Sequence, residues 1–451
     1  MFLKNDARAI KESQTNYRLR DEKYYFRTGI TWGRITSADL SFREAELGSV
    51  FGDAGPMLFI QSKSILHYVL GFLNSKLVTE LSAALNPTLN FQVDDLRKLP
   101  LKIDNSLTER VDLIVSQNVD MCREFENNSE LSSSFDRSSF TLHIAEHQRN
   151  WTLQEAFAQW SKEADNRFNQ LKSNEEELNR IFIDLYGLQG ELTPEVADKD
   201  VSVRRADLPR DIKAFLSYFV GVTFGRYSID TPGLAFAGGD WHPESYSTYQ
   251  PNEDNLILLT DQEYFHDERD IIFRLKEFLT ATFGEDHLDE NVRFIADALD
   301  KKGATPEEQI RNYFLDDFYK KDHLSTYQKR PIYWELSSGK QAGFRALIYL
   351  HRYDQDTMAM VRTAYLHPLQ EAYTATREQL QHFSESETNP REKNALSKRI
   401  ATITKQLDEL IKYDAKLQHV ANSHIAIDLD DGVVVNHDKV QDGEKLLSPI
   451  K

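Results

Sequence analysis

The sequence predicts an α+β, multidomain protein: a mixed α/β module first, then a helical spacer, an α+β region and a C-terminal antiparallel helical hairpin. Three observations predict it. The chain has 451 residues, more than one ordinary hydrophobic core organises. Short β-branched and aromatic runs alternate with long stretches of helical periodicity. The clearest period, a heptad, is confined to the last quarter of the chain.

Residues 1–104 read as the mixed module. Tyr24–Trp32 (YYFRTGITW) has the aromatic and β-branched density of a strand, and residues 37–55 are rich in turn formers. From Ser64, the positions Ile65, Leu66, Val69, Leu70, Leu73, Leu77 and Leu81 predict one helix buried on several sides, stopped at Asn86-Pro87.

Residues 105–199 read as the helical spacer. One stripe runs through Leu107, Val111, Ile114, Val115 and Cys122, another through Phe157, Trp160, Ala164, Phe168 and Leu171. The Ser-rich 129–139 between them reads as an exposed loop. A further helix is expected to start near Ser173, capped by Ser173 or Asn174, with Glu175–Glu177 in its first turn, and to end at Tyr186-Gly187.

Residues 200–355 mix strand-like runs (NLILLT from Asn255, PIYWEL from Pro331, ALIYLHRY from Ala346) with a helix over Asp270–Phe283, an α+β pattern. Residues 356–451 form the hairpin and tail. Leu396, Ile400, Ile403, Leu407, Leu410 and Leu417 are spaced 4, 3, 4, 3 and 7, and SESETNPRE from Ser384 separates them from a helix over Val361–Phe383. No solenoid-type repeat is present.

Composition narrows the function. With 40% hydrophobic, 28% charged and 11% aromatic residues the chain is globular, not disordered. A single cysteine, Cys122, excludes an internal disulfide framework and paired-cysteine zinc sites, as expected of a reducing cytoplasm. No signal-peptide core or membrane-length apolar run is found, so no membrane partner is expected. The net charge of −18 opposes a polyanion over the surface as a whole. The first 60 residues nevertheless hold nine Lys and Arg against eight Asp and Glu, leaving room for a local basic face.

Several motifs invite chemistry and fall short. His351-Arg352-Tyr353-Asp354 looks like a kinase catalytic loop, but no phosphate loop accompanies it. Asp428–Gly432 (DLDDG) lacks EF-hand spacing and reads as a solvated turn before a strand-like Val433–Val435. His143 and His147 are spaced i, i+4 with no third ligand, so no metal is expected. Two regions suit DNA. Around the first strand, Tyr24, Tyr25, Arg27, Thr31, Trp32, Arg34, Ser37 and Arg43 interleave aromatic, hydroxyl and basic side chains that could meet sugars, bases and phosphates. In Asn86–Leu101, Asn86, Asn90 and Gln92 supply amides of the kind that read adenine. From the residues alone, a strand with a buried aromatic face and a loop closed by Asx turns remain open alternatives.

Six ordered blocks carry a resemblance: YYFRTGITWGRITS, GFLNSKLVTELSAALNPTLNFQVDDLRKLPL, SNEEELNRIFIDLYGLQGELTPEV, FGRYSIDTPGLAFAGG, RPIYWELSSGKQAGFRALIYLHRYD and IDLDDGVVVN. Together, from about Asp21 to Asn436, they closely resemble the C-terminal half of the PglX family, adenine-specific DNA methyltransferases of BREX phage-defence systems. The resemblance implies that residues 1–104 are a target-recognition domain for double-stranded DNA and that the rest is spacer and scaffold. It favours the DNA-contact reading of both regions. It also implies a catalytic domain that binds S-adenosylmethionine and flips the adenine. The Asn/Asp-Pro-Pro-Tyr/Phe motif and the glycine loop of that domain do not occur here, where Asn86-Pro87 and Asn389-Pro390 lead into Thr-Leu and Arg-Glu. The chain is therefore expected to be a portion of a longer enzyme, without cofactor and inactive alone, and Met1 need not be its natural start. The competing expectation is an acidic scaffold that binds other BREX proteins with little direct DNA contact.

Overall fold

A computed structural model of the chain describes residues 21–450, apart from 36–39, 46, 53, 87, 89, 143 and 145–150. The fold is α+β and divides into two compact units, the first formed by residues up to 126 and 163–205, the second by 127–162 and 206–451. His143 and His147 lie outside the described residues.

The first unit is built on a three-stranded antiparallel sheet in the order β2-β1-β3: β1 is Gly29–Trp32, β2 Phe42–Ala45 and β3 Met57–Leu58. Ile30, Trp32 and Phe42 point inward from it. Against them lies helix α1, Lys63–Leu73, whose residues from Leu66 to Leu73 are all buried. The expected single helix is broken here: α2, Lys76–Leu85, starts after Asn74 and Ser75. The cause is polar. The Asn74 carboxamide accepts from Phe42 N (2.9 Å) and donates to Phe42 O (3.0 Å), while Ser75 Oγ donates back to Phe72 O (2.6 Å). Asn74 thus serves the free edge of β2 as a neighbouring strand would.

Helix α3, Val93–Leu96, is short, and α4, Thr108–Asn127, packs Val111, Ile114 and Val115 against α1. The next helix, α5, runs unbroken from Leu153 to Tyr186, so the start expected near Ser173 is absent. Asn174 does not cap. Its Oδ1 accepts from Gln170 Nε2 and its Nδ2 donates to Asn118 Oδ1, both at 2.8 Å, which removes the competition with the backbone that makes Asn a helix starter. Leu178, Ile181 and Phe182 of α5 complete the core. Gly71 permits the close approach: a Cβ there would lie 2.9 Å from Val115 Cγ2 and 3.5 Å from Leu178 Cδ2. The buried His67 joins three elements, with Nε2 3.1 Å from Glu44 of β2 and Nδ1 2.6 Å from Asp112 of α4.

The second unit contains a second antiparallel sheet, order β4-β6-β5, with β4 Ile257–Leu258, β5 Tyr333–Ser337 and β6 Arg345–Tyr349. Tyr333 pairs with Tyr349 and Ser337 with Arg345. Almost every strand residue is buried, which is why these segments read as continuous apolar runs instead of alternating ones. Alternate residues Trp334, Leu336, Ala346 and Ile348 share a core with α10, His367–Ser386, and α11, Pro390–Asn422, whose short connection makes them an antiparallel pair. The α11 seam is Ile403, Gln406, Leu410, Tyr413, Leu417 and Val420, a heptad in which Leu407 is displaced to the flank. Glu409 of α11 accepts from Ser338 Oγ (2.6 Å) and Gln341 N (2.7 Å), fastening the β5–β6 turn.

The helical remainder comprises α6, Leu208–Thr223; α7, Ile271–Phe283; α8, Leu288–Leu299; and α9, Pro306–Tyr313. Helix α9 continues into a π-helical stretch, Phe314–His323. Asp270 organises this region. Its Oδ1 caps α7 through Ile272 N (2.8 Å) and Phe273 N (3.2 Å), and its carboxylate takes a two-pronged pair from Arg311 of α9 at 2.7 and 3.0 Å. A second buried pair, Glu335 with Arg345, is joined by the Ser448 hydroxyl.

Val433–Val435, expected as a strand, lies instead in helix α12, Val433–Lys439. Gly432 at φ 83° turns the chain, and Asn436 Nδ2 reaches back to Asp428 O (2.6 Å). Tertiary anchoring by the buried Asn436 and His437 overrides the valines, of which Val435 is exposed. Among the described residues no helix is long and apolar enough to cross a membrane.

Asp270 is 1% and Arg311 5% exposed, so removing one charge strands the other in the core. Asp270→Asn, which keeps the capping oxygen, is expected to cost about 3–5 kcal/mol in chemical denaturation. The double replacement Asp270→Leu with Arg311→Met is expected to cost less than Asp270→Leu alone.

Candidate nucleic-acid interface

Ile30 and Trp32 face the core, so Thr31 between them lies on the outer face of the first sheet. The register sets Arg43 of β2 and Met57 of β3 on either side of it. Arg43 is exposed, with no carboxylate in ion-pair range among the described residues, and the Thr31 hydroxyl donates to Pro56 O (3.0 Å).

Near this sheet, Tyr24 stacks on Phe59 with ring centroids 5.0 Å apart and planes at 23°. Phe59 meets Phe51 at 5.4 Å, and Phe51 meets Tyr25 edge-on at 5.8 Å. The Lys23 ammonium lies 4.8 Å from the Tyr24 centroid and the Arg27 guanidinium 5.9 Å from it. The result is a half-exposed aromatic platform with two cations on its margin. Phe26, 52% exposed, holds a left-handed φ of 61° while its N–H donates to Ser49 O at 2.9 Å.

Other expected contacts have structural partners. Trp32 is buried in the core, its indole N–H donating to Phe91 O (3.2 Å), and it supports the sheet from beneath. Arg34 is half-buried, and its carbonyl accepts from Phe91 N (2.8 Å). Ile35 pairs with Asn90, which brings the amide-bearing loop alongside the end of β1. Within that loop the Asn86 amide is fully used: Nδ2 donates to Asn90 O and Asp95 Oδ2, both at 2.8 Å, and Oδ1 accepts from Thr88 N (3.1 Å) and Thr88 Oγ1 (2.6 Å). This is the Asx-turn closure. The Gln92 side chain is exposed, while its N–H donates to Asp95 Oδ2 (3.0 Å). Asn90 Oδ1 is buried without a hydrogen-bond partner among the described residues. Ser37 lies outside the described residues.

The structure therefore gathers Thr31 with Arg43, Tyr24 and Tyr25 with Arg27, and Arg34 with Asn90. Sequence reasoning missed Lys23, Phe51 and Phe59; the apolar LFI at 58–60 was the available signal for Phe59. Among the described residues no three His, Cys, Asp or Glu side chains are placed to hold a metal ion. In the kinase-like tetrad, Arg352 spends its guanidinium on the Phe224, Asn252 and Glu253 carbonyls, at 3.3, 2.9 and 2.7 Å, a structural role.

The Gln92 N–H, the Asn86 amide and the Lys98 ammonium hold the Asp95 carboxyl below the ordinary carboxylate range. A lowered folded value means that the stability Asp95 contributes is present above the unfolded carboxyl pKa, about 3.9, and is lost as pH falls through the folded value. Carboxyl-detected NMR titration is expected to show Asp95 moving up toward the ordinary range in Asn86→Ala.

No family model matches the chain. It is 56% identical over 456 residues to the adenine-specific methyltransferase PglX of Lacticaseibacillus casei (strain Zhang). It is 32% identical over 480 residues to the adenine-specific methyltransferase BrxX of Escherichia coli O9:H4 (strain HS). Each match takes in 99% of this chain and 38% of the relative. Nearly all of the chain is thus similar in sequence to adenine-specific methyltransferases of the PglX type, and it spans 38% of the length of each of these two relatives.

Proposed function

We propose that the first unit is the DNA-reading part of a PglX-type adenine-specific methyltransferase of a BREX defence system, and that the remainder is scaffold. In this reading the chain holds double-stranded DNA for a catalytic domain elsewhere in the full-length protein, which binds S-adenosylmethionine and flips the adenine. The observation that supports it best is the Tyr24–Phe59 stack edged by Lys23 and Arg27. Cations there would neutralise phosphates while the rings pack on sugar or an unstacked base. Arg43 and the exposed Gln92 extend the same function to the sheet face and the neighbouring loop. The net charge of −18 makes the affinity of the chain alone weak, and its phosphate contacts make it salt-dependent.

A scaffold reading draws on the helical pair, where Phe383 of α10 and Ile411 of α11 are 53% and 66% exposed. One titration separates the two. Duplex binding is followed by fluorescence anisotropy from about 50 to 200 mM salt, with the chain alone and mixed with a separately expressed catalytic part, methyl transfer being measured in parallel. Arg27→Glu with Arg43→Glu is expected to weaken binding tenfold or more and to lower the logarithmic salt slope by about two. If DNA is ignored in both settings and the mixture gains no methylation, the DNA-reading function fails and the scaffold reading replaces it.

A further inference from the structure

The second unit buries a guanidinium without a counter-ion. Arg226, 9% exposed, donates from Nε to Tyr227 Oη (3.1 Å) and from Nη1 to Tyr349 Oη (3.3 Å). No carboxylate stands within ion-pair distance of it among the described residues. That differs from Arg311 and Arg345, whose guanidinium groups are matched by buried carboxylates. A buried cation served by neutral phenols is a standing demand for negative charge.

The groups around Arg226 share one polarity. His323 Nε2 accepts the Tyr333 N–H (3.2 Å), so the ring proton sits on Nδ1, and Nδ1 is buried without a partner among the described residues. Burial and the nearby Arg226 hold His323 down to about 3, which keeps it in this neutral form. The Tyr327 and Tyr333 hydroxyls are likewise buried and unpartnered. The three rings are in contact, His323 lying 4.7 Å from Tyr327 and 4.9 Å from Tyr333 between centroids. Gly221 lets the rings pack closely on its helix: a Cβ would come 2.5 Å from the Tyr227 ring and 3.1 Å from Tyr333 Oη. The unmet groups can all donate, and they lie near a fixed positive charge.

The backbone that carries them is irregular. His323 ends the π-helical Phe314–His323 stretch, and Tyr327 is followed by Gln328 and Lys329, both left-handed at φ 50° and 62°. Wide helical turns and consecutive left-handed side-chain-bearing residues persist where the surroundings hold them, and they concentrate at ligand sites. The nearby carboxyl, Glu130, is engaged by the Ser217 hydroxyl (2.5 Å), and burial pushes it up to about 7. Tyr327, His351 and Glu130 are only half-buried.

We propose that Arg226, His323, Tyr327 and Tyr333 form a binding site for a small oxyanion, a phosphate group either free or carried by a mononucleotide. Phosphate oxygens accept several hydrogen bonds at once and supply the charge that Arg226 lacks. The site lies wholly in the second unit and does not depend on the DNA-reading proposal.

The test uses the full chain in phosphate-free buffer, with calorimetric titration by inorganic phosphate and, separately, by adenosine monophosphate. Saturable binding with a Kd of about 1 mM or tighter is expected for at least one probe, with a rise in melting temperature on saturation. Tighter binding of the nucleotide identifies a carried phosphate, and binding of the inorganic ion alone identifies the free one. Tyr327→Phe, which keeps the half-buried ring and removes one donor, is expected to weaken binding about tenfold. Arg226→Gln is expected to abolish it. Should Arg226→Gln fail to fold, Tyr327→Phe decides alone. Absence of saturable binding of both probes, or unchanged affinity in Tyr327→Phe, overturns the proposal.

Discussion

The second unit depends on the satisfaction of one carboxylate. Asp270 stands where β4, α7 and α9 converge: it pairs with Leu258 as an isolated bridge, caps α7 and receives Arg311 on both oxygens. A side chain with one of these roles would be replaceable; combining them fixes the start of α7 relative to α9 before apolar packing refines the contact. The Thr260 hydroxyl, 3.1 Å from Arg311 Nη1, closes the set. Buried charge of this kind contributes less to net stability than to uniqueness, since an alternative packing would leave an ion unmatched.

The same logic distinguishes the buried arginines. Arg345 meets Glu335 across the β5–β6 hairpin, and the C-terminal Ser448 adds its hydroxyl, so the end of the chain is part of the core's polar accounting. Arg226 donates to phenol oxygens, with the Glu130 carboxyl nearby but outside ion-pair range. Both lie by the same sheet, yet one side of the hairpin closes on itself and the other retains donors in excess.

The architecture of the helical pair was legible because heptad spacing repeats over several turns, and the interior strands were legible as apolar runs too short for helices. The Asp270–Phe283 helix was also legible, since an aspartate precedes a periodic apolar run. What escaped was set by contacts distant in sequence. Asn74 ends α1 because it reaches Phe42, and Asn174 stays helical because Asn118 lies beside it. Val433–Val435 coils because Asn436 finds Asp428, and no local propensity records that. At the candidate interface, the mixture of rings and cations was visible in Tyr24–Arg43, but their sorting was not. Trp32 and Thr31 are neighbours on one strand and point opposite ways, and the platform depends on Phe51 and Phe59, which join Tyr24 and Tyr25 only after the chain has turned.

Asn74 also limits what the first sheet can recruit. In an antiparallel ladder alternate residues turn their backbone groups outward, so β2 offers its free edge through Phe42 and Glu44. Asn74 consumes both groups of Phe42, leaving a stretch too short to template another strand. β-Augmentation by an extended peptide, and edge-to-edge aggregation between copies, are therefore disfavoured along β2. A partner that approaches β2 therefore meets side chains and a capped backbone in place of an open strand edge.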